Sequence, residues 1–242
     1  MKIKYLLIAL FFSLIFNFSV AQEYVFGVSG GLNNNTIGII ESKGTNFEVG
    51  NFDGKKDISY QIGAYFMAEW QAFFIRPEFN YVSMENHYEF PKRDAKWTTS
   101  KLEVPILIGL KIGKPVAIYA GPGFNFFDDY QLEGVQDANN FSDGGPDIDK
   151  TTVSLNFGIM LRYKIFVIDL RYEVGTKELT EGDGTERANY DIDFGRYGVN
   201  LADARPYTPK MLRLSLSIDI FRTDGTSIAD LFRKKNCYGC PY

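Results

Sequence analysis

Residues 102–126 read LEVPILIGLKIGKPVAIYAGPGFNF. Leu102, Val104, Ile106, Ile108, Leu110 and Ile112 share one parity, and after 113–114 the pattern resumes with Val116, Ile118 and Ala120. Glu103, Gly109, Lys111, Tyr119 and Gly121 occupy the other parity. A period of two belongs to a β-strand with one apolar and one mixed face. The same rhythm recurs at 24–32, 58–70, 72–84, 152–163, 166–175 and 211–221. Eight strands are therefore expected. Past the N-terminus no stretch has the roughly 18 uncharged apolar residues of a membrane helix, and the one helical pattern is at 227–235 in the tail.

The links between these strands alternate in length. Those after the second, fourth and sixth strands are tight, at 70–71, 113–114 and 164–165. Those after the first, third, fifth and seventh are long, at 33–57, 85–98, 128–151 and 176–210, and rich in Gly, Asn, Asp and Tyr as loops are. In an up-and-down barrel this sorts every tight turn to one end and every long loop to the other. Transmembrane barrels have that asymmetry, with short periplasmic turns and longer extracellular loops. The expected fold is an all-β, eight-stranded antiparallel up-and-down transmembrane barrel.

The 242 residues divide into three parts. Residues 1–21 carry a basic start (Lys2, Lys4), an apolar run from 5 to 16 and small residues ending at Ala21, the anatomy of a secretory signal cut before Gln22. Residues 22–221 hold the barrel, and 222–242 form a basic periplasmic tail. Loss of Lys2 and Lys4 leaves 24 basic against 30 acidic residues, a formal charge of −6. A nucleic-acid partner would want a basic patch, and none is expected.

The polar parity decides which face points inward. It carries Glu69, Arg76, Glu78, Glu103, Lys111, Arg162, Asp169, Arg171, Glu173, Arg213 and Asp219. An eight-stranded barrel is just wide enough to be filled by side chains, and opposite charges crowded there can pair to offset their desolvation. The other face is almost wholly apolar over strands of the roughly 9–11 residues a membrane strand needs. In water it would far exceed the apolar patch a soluble monomer exposes. The inverse arrangement, a lipocalin-like barrel with an apolar cavity, is the alternative this argument disfavours. Trp70, Phe73, Tyr163 and Phe166 flank tight turns, while Tyr81, Phe126, Phe127 and Tyr130 lie near the long links, as interfacial girdles do. Pro77, Pro105 and Pro122 fall inside strands, where proline cannot donate to the ladder, so bulges or kinks are expected there.

The run Lys101-Leu102-Glu103-Val104-Pro105-Ile106-Leu107, followed after a short turn by Ile118-Tyr119-Ala120-Gly121-Pro122-Gly123, resembles the PorT-like outer-membrane β-barrel domain family of Bacteroidetes. The 168–175 stretch IDLRYEVG resembles that family's penultimate strand, and the signal ending Ala21-Gln22 fits it. The resemblance implies an eight-stranded outer-membrane barrel and no common activity. The chain departs from the pattern by continuing some twenty residues past its last strand (222–242).

Local motifs add little chemistry. Cys237 and Cys240 form a CxxC in the tail; with no thioredoxin-like context and too few partners for zinc, a disulfide in an oxidising compartment is the expectation. His87 is the only histidine, with Ser83, Glu85 and Glu89 nearby. On a strand Ser83 and His87 would stand about 13 Å apart, too far for a nucleophile and its base. Asp143, Asp147, Asp149, Asp183, Asp191 and Asp193 do not follow the calcium-loop spacing. No catalytic residue, metal or cofactor is expected. The expected partners are outer-membrane lipid and, through the basic tail, a periplasmic or envelope protein. The expected role is structural or surface interaction through the long loops, with the lumen plugged by paired charges. A narrow channel and an accessory subunit of an envelope or secretion complex are the alternatives.

Overall fold

A computed structural model describes residues 23–36, 38–42, 51–128, 131–133, 149–178, 192–194, 199–205 and 207–225. The proposed signal (1–21), most of the tail with Cys237 and Cys240, and the helical pattern at 227–235 lie outside the described residues. The long strands are β1 (Glu23–Asn35), β2 (Ile58–Glu69), β3 (Phe73–Tyr88), β4 (Ala95–Gly113), β5 (Val116–Phe127), β6 (Thr151–Tyr163), β7 (Phe166–Gly175) and β8 (Lys210–Arg222). Each pairs antiparallel with its sequence neighbours, and β1 pairs with β8 from Val25↔Arg222 to Asn35↔Met211. The eight strands thus close into a ring, which leaves no edge among them.

The tight links fall at 70–72, 114–115 and 164–165. Lys164 takes a left-handed φ of 56°, the sign that short hairpin turns require. On the wall, Leu212, Leu214 and Leu216 of β8, and Leu155, Phe157 and Ile159 of β6, are about half exposed. Apolar outward positions run from Phe73 to Tyr81 on β3, from Leu102 to Ile112 on β4 and from Val153 to Tyr163 on β6. Each run is 9–11 residues long, the span of a tilted strand across a hydrocarbon core.

Above that band β3 and β4 continue together, and the chain connecting them is only 89–94. The 85–98 loop expected from sequence is therefore corrected: most of it is strand. The reason lies in a change of phase. Below the boundary the apolar residues point out (Phe79, Tyr81, Leu102), whereas above it they point in (Val82, Met84, Tyr88, Ala95, Trp97). Ser83, Glu85, His87, Lys96 and Ser100 take the outward positions there. The strand stays regular while its outer solvent changes from lipid to water, so its hydrophobic face switches sides.

Other long links also hold structure. Ile39–Ser42 pairs with Asn51–Asp53 and with Val199–Arg205, which pairs with Ile192–Phe194, giving a separate four-stranded sheet. Lys55–Lys56 pairs beside the outer end of β3, and Gln131–Leu132 beside that of β4.

The bulges expected at proline are also corrected. Register is the same on both sides of Pro77, Pro105 and Pro122, and only single pairs or short gaps are missing from the ladder beside them. The irregularities of the ring are instead between Phe26 and Gly27 and between Lys111 and Gly113. A missing donor interrupts the ladder locally, and the pairing on either side holds the strand in line.

The apolar band sets the expected cost of polar substitution. Leu214→Arg, facing lipid in mid-span, should lower stability by about 2–4 kcal/mol, while Ser83→Arg, outward but above the boundary, should cost about 0–1 kcal/mol. Reversible denaturation in lipid vesicles measures both, and equal costs would remove the boundary placed between residues 81 and 83.

Candidate functional site

The lumen is filled in layers. Nearest the tight turns lies an apolar layer of Val25, Tyr65, Met67, Phe74, Leu107, Tyr119, Met160 and Val167. Sequence reading of the inward face by its charges passes over this layer. Its signal is present nonetheless: near these turns both parities are apolar, as in 65–67, 106–108, 159–161 and 166–168. Glycine makes the room. A Cβ on Gly109 would stand 2.1 Å from the Phe74 ring, and one on Gly158 2.2 Å from the Tyr119 hydroxyl.

Above this layer are the buried charges. Arg171 donates a fork to Glu78, with both bonds 2.8 Å, and its Nε donates to the Tyr119 hydroxyl at 2.9 Å. Tyr119 in turn donates to Asp169 at 2.8 Å. Glu78 also pairs with Arg76 at 2.8 Å and accepts from Asn80 at 3.0 Å. Arg76 lies on the apolar layer, its guanidinium 3.9 Å from the centre of the Tyr65 ring and its Nη1 2.8 Å from the Met160 sulfur. One residue layer further out, Arg213 bridges Glu103 and Glu173, and Glu173 also accepts from Lys101. Lys101 donates to Asn125 at 3.0 Å. The charges are thus matched in two groups, and planar guanidinium forks satisfy several carboxylate lone pairs at once.

Of the residues singled out from sequence, Arg76, Glu78, Glu103, Asp169, Arg171, Glu173 and Arg213 meet in these two groups. Glu69, Asp219, Arg162 and Lys111 form a separate set at the tight-turn mouth. There Glu69 accepts from Arg162 and pairs with Lys111 at 2.7 Å, and Asp219 takes the Tyr65 hydroxyl, Arg162 and Arg222. Lys111 is a correction to the lumen assignment: its side chain is 34 % exposed at the rim, because β4 ends there and the chain turns back. Lys101 stands one residue before the alternation that opens at Leu102, so that pattern does not include it. It shares parity with Glu103 and is buried.

At the opposite end the phase-switched hairpin turns its aromatic residues over the lumen. Tyr88 donates to the Gly38 carbonyl at 2.9 Å and packs against Phe90 and Trp97, with ring centres 6.1 and 6.0 Å apart. Phe52 meets Phe90 edge to face at 4.9 Å. Ile40 and Tyr207 are buried in the same region. Asn33, Asn35, Asn86 and Thr99 fill the space between this cap and the charges.

Outward on the hairpin, the histidine meets a carboxylate. His87 Nδ1 lies 2.8 Å from both Asp57 oxygens. Glu85 accepts from Lys96 at 2.7 Å, and Glu89 accepts from Lys55. That last bond holds the Glu89 carboxyl below its usual range. Ser83 stands opposite Ser100 on β4. Asp149 is engaged by Lys177, and Asp143, Asp147, Asp183 and Asp191 lie outside the described residues.

A family model described as "Outer membrane protein beta-barrel domain" matches residues 20–180. Among solved structures, Neisserial surface protein A (NspA) is 13% identical with a TM-score of 0.43, the alignment covering 80% of this chain and 96% of that one. The outer membrane protein OprG from Pseudomonas aeruginosa is 11% identical, TM-score 0.42, covering 82% and 97%. Ail, the attachment invasion locus protein of Yersinia pestis, seen in complex with the heparin analogue sucrose octasulfate, is 12% identical, TM-score 0.37, covering 83% and 97%. These are likenesses of fold alone. No curated protein matches the chain.

Arg213 is the sharpest test of the lumen network, because among the described residues it is the cation paired with Glu103. Arg213→Met should lower stability by about 3–5 kcal/mol by leaving a buried charge unpaired, and adding Glu103→Leu should restore most of the loss. Denaturant titration of the two variants in lipid vesicles checks this; a double variant as weak as the single one would rule out the unpaired carboxylate as the cause.

Proposed function

The chain belongs to the outer membrane protein beta-barrel domain family, and we propose that it is a closed, non-conducting barrel whose working surface is the folded cap at its long-link end. As an outer-membrane barrel it sits in the lipid bilayer, and the apolar band is its lipid contact. One observation carries the rest of the reading. Above the tight-turn mouth the lumen is occupied by the apolar layer, the paired charges around Arg171 and Arg213, and the aromatic cap around Tyr88 and Trp97.

A filled lumen favours a structural or surface-interaction role over a channel. The hairpin, standing clear of the band, presents Lys55, His87, Lys96 and their carboxylate partners outward. Their mixed charge suits a polar macromolecular contact at the cell surface. The protein is read as non-enzymatic: His87 is engaged with Asp57, and Ser83 is four residues away on the strand.

The KLEVPIL and IYAGPG stretches support placement in the PorT-like group of Bacteroidetes barrels, and residues 1–21 support export through a cleaved signal. The basic residues of 222–242, beside the Cys237 and Cys240 pair expected to form a disulfide, favour contact with a periplasmic or envelope protein. That contact is how the alternative role, an accessory subunit of an envelope complex, would be played.

Planar-bilayer recording tests the central claim. The purified, refolded protein is expected to give no discrete, reproducible openings across the usual voltage range. A steady ohmic conductance in preparations free of other porins would transfer the reading to a narrow channel.

A further inference from the structure

The tight-turn mouth holds a cavity of about 570 Å³, within the roughly 300–1,000 Å³ of small-molecule sites. It is bounded by the tight turns through Trp70, Lys114 and Lys164, and by the two ends of the ring through Glu23 and Arg222. Its floor is the underside of the apolar layer, where Met67, Phe74, Met160 and Val167 meet.

The rim is basic. Lys111, Lys114, Arg162, Lys164 and Arg222 line it against the carboxylates of Glu23 and Glu69. Both carboxylates are already engaged: Glu69 by Lys111 and Arg162, and Glu23 by Arg222 at 2.6 Å. Among the described residues, Lys114 and Lys164 have no carboxylate within ion-pair distance. Asp219 and Asp224 also meet Arg162 and Arg222 there, so the positive excess is local to Lys114 and Lys164, above an opening whose depth is apolar.

We propose that this mouth is a binding site for a single-chain anionic amphiphile, its phosphate or carboxylate head at the Lys114–Lys164 rim and its alkyl chain against Met67 and Met160. Charge complementarity selects the head, since opposite charges attract more strongly beside a low-dielectric wall. The apolar floor selects the chain. A peptide strand is disfavoured because the closed ring offers no free sheet edge to pair with.

Tight turns of such barrels face the periplasm, so the ligand is one that reaches the inner leaflet side. The site lies at the opposite end from the proposed surface cap, and it stands or falls independently of the cap's role.

Methionine methyl groups report on the site. The chain has five methionines. Met67 and Met160 line the mouth, while Met84 and Met211 are buried further out. Methyl-labelled full-length protein in zwitterionic lipid nanodiscs is titrated with decyl phosphate. The expected result is a saturable shift of Met67 and Met160 with Met84 and Met211 unmoved. Inorganic phosphate alone and decyltrimethylammonium, at the same concentrations, should leave all four unmoved.

Lys114→Gln with Lys164→Asn, both on exposed turns, should weaken binding about tenfold, as the loss of two rim charges allows. Ala117→Phe, which narrows the cavity against its apolar floor, should reduce the shift further. Gel mobility with and without boiling checks that each variant closes its barrel; if the narrowed variant does not, the lysine pair carries the test. The proposal is overturned by no shift up to millimolar ligand, by equal shifts with the cationic amphiphile or with phosphate alone, or by undiminished affinity in the lysine variant.

Discussion

Closure of the ring between β1 and β8 is the constraint on which everything else rests. In hydrocarbon a backbone N–H or C=O has no water to turn to, and an open sheet would leave two edges unpaired at several kcal/mol per group. The chain must therefore bring residues about two hundred positions apart into register, from Val25 with Arg222 to Asn35 with Met211. Once the ring closes at eight strands its radius is set, and the interior has room for side chains and little else. The layered lumen, the inward glycines and the crowded ion pairs are consequences of that radius.

The charges inside follow from the same geometry. Strand alternation obliges every second residue to point inward, and a wholly apolar chain on both faces would be hard to keep soluble on its way to the membrane. Polar residues are therefore carried inward, where desolvation makes each lone charge costly and each removed partner more so. Arg171 and Arg213 resolve this by each serving two carboxylates. Near the tight turns the interior reverts to apolar packing, and it is there that the mouth gains a greasy floor under a basic rim.

The hairpin of β3 and β4 shows how the surroundings of a strand govern its pattern. The same two strands cross from lipid into water without a break in hydrogen bonding, and their apolar residues change sides at 81–83 and again near 97–102. Search for one unbroken alternation ends the strand where the phase flips, which is why the stretch 85–98 reads as loop. The small sheet built from Ile39–Ser42 and Val199–Arg205 escapes sequence reading for another reason: its members are short and come from links far apart in the chain.

Local alternation and link length by themselves determined the eight strands, their up-and-down order, the outward apolar face and most of the inward charges. Those features follow from a period of two and from the short reach of tight turns, both of which are local. Tertiary structure alone decided which charges meet. The sequence places Arg76, Glu78, Arg171 and Arg213 on inward faces, but strand tilt and ring curvature decide that Arg171 reaches across to Glu78 and that Lys101 joins Glu173. That Glu69, Lys111 and Arg162 share one mouth is legible locally, since each stands beside a tight turn; that Arg162 reaches Glu69 and Asp219 there depends on the stagger and curvature of the closed ring.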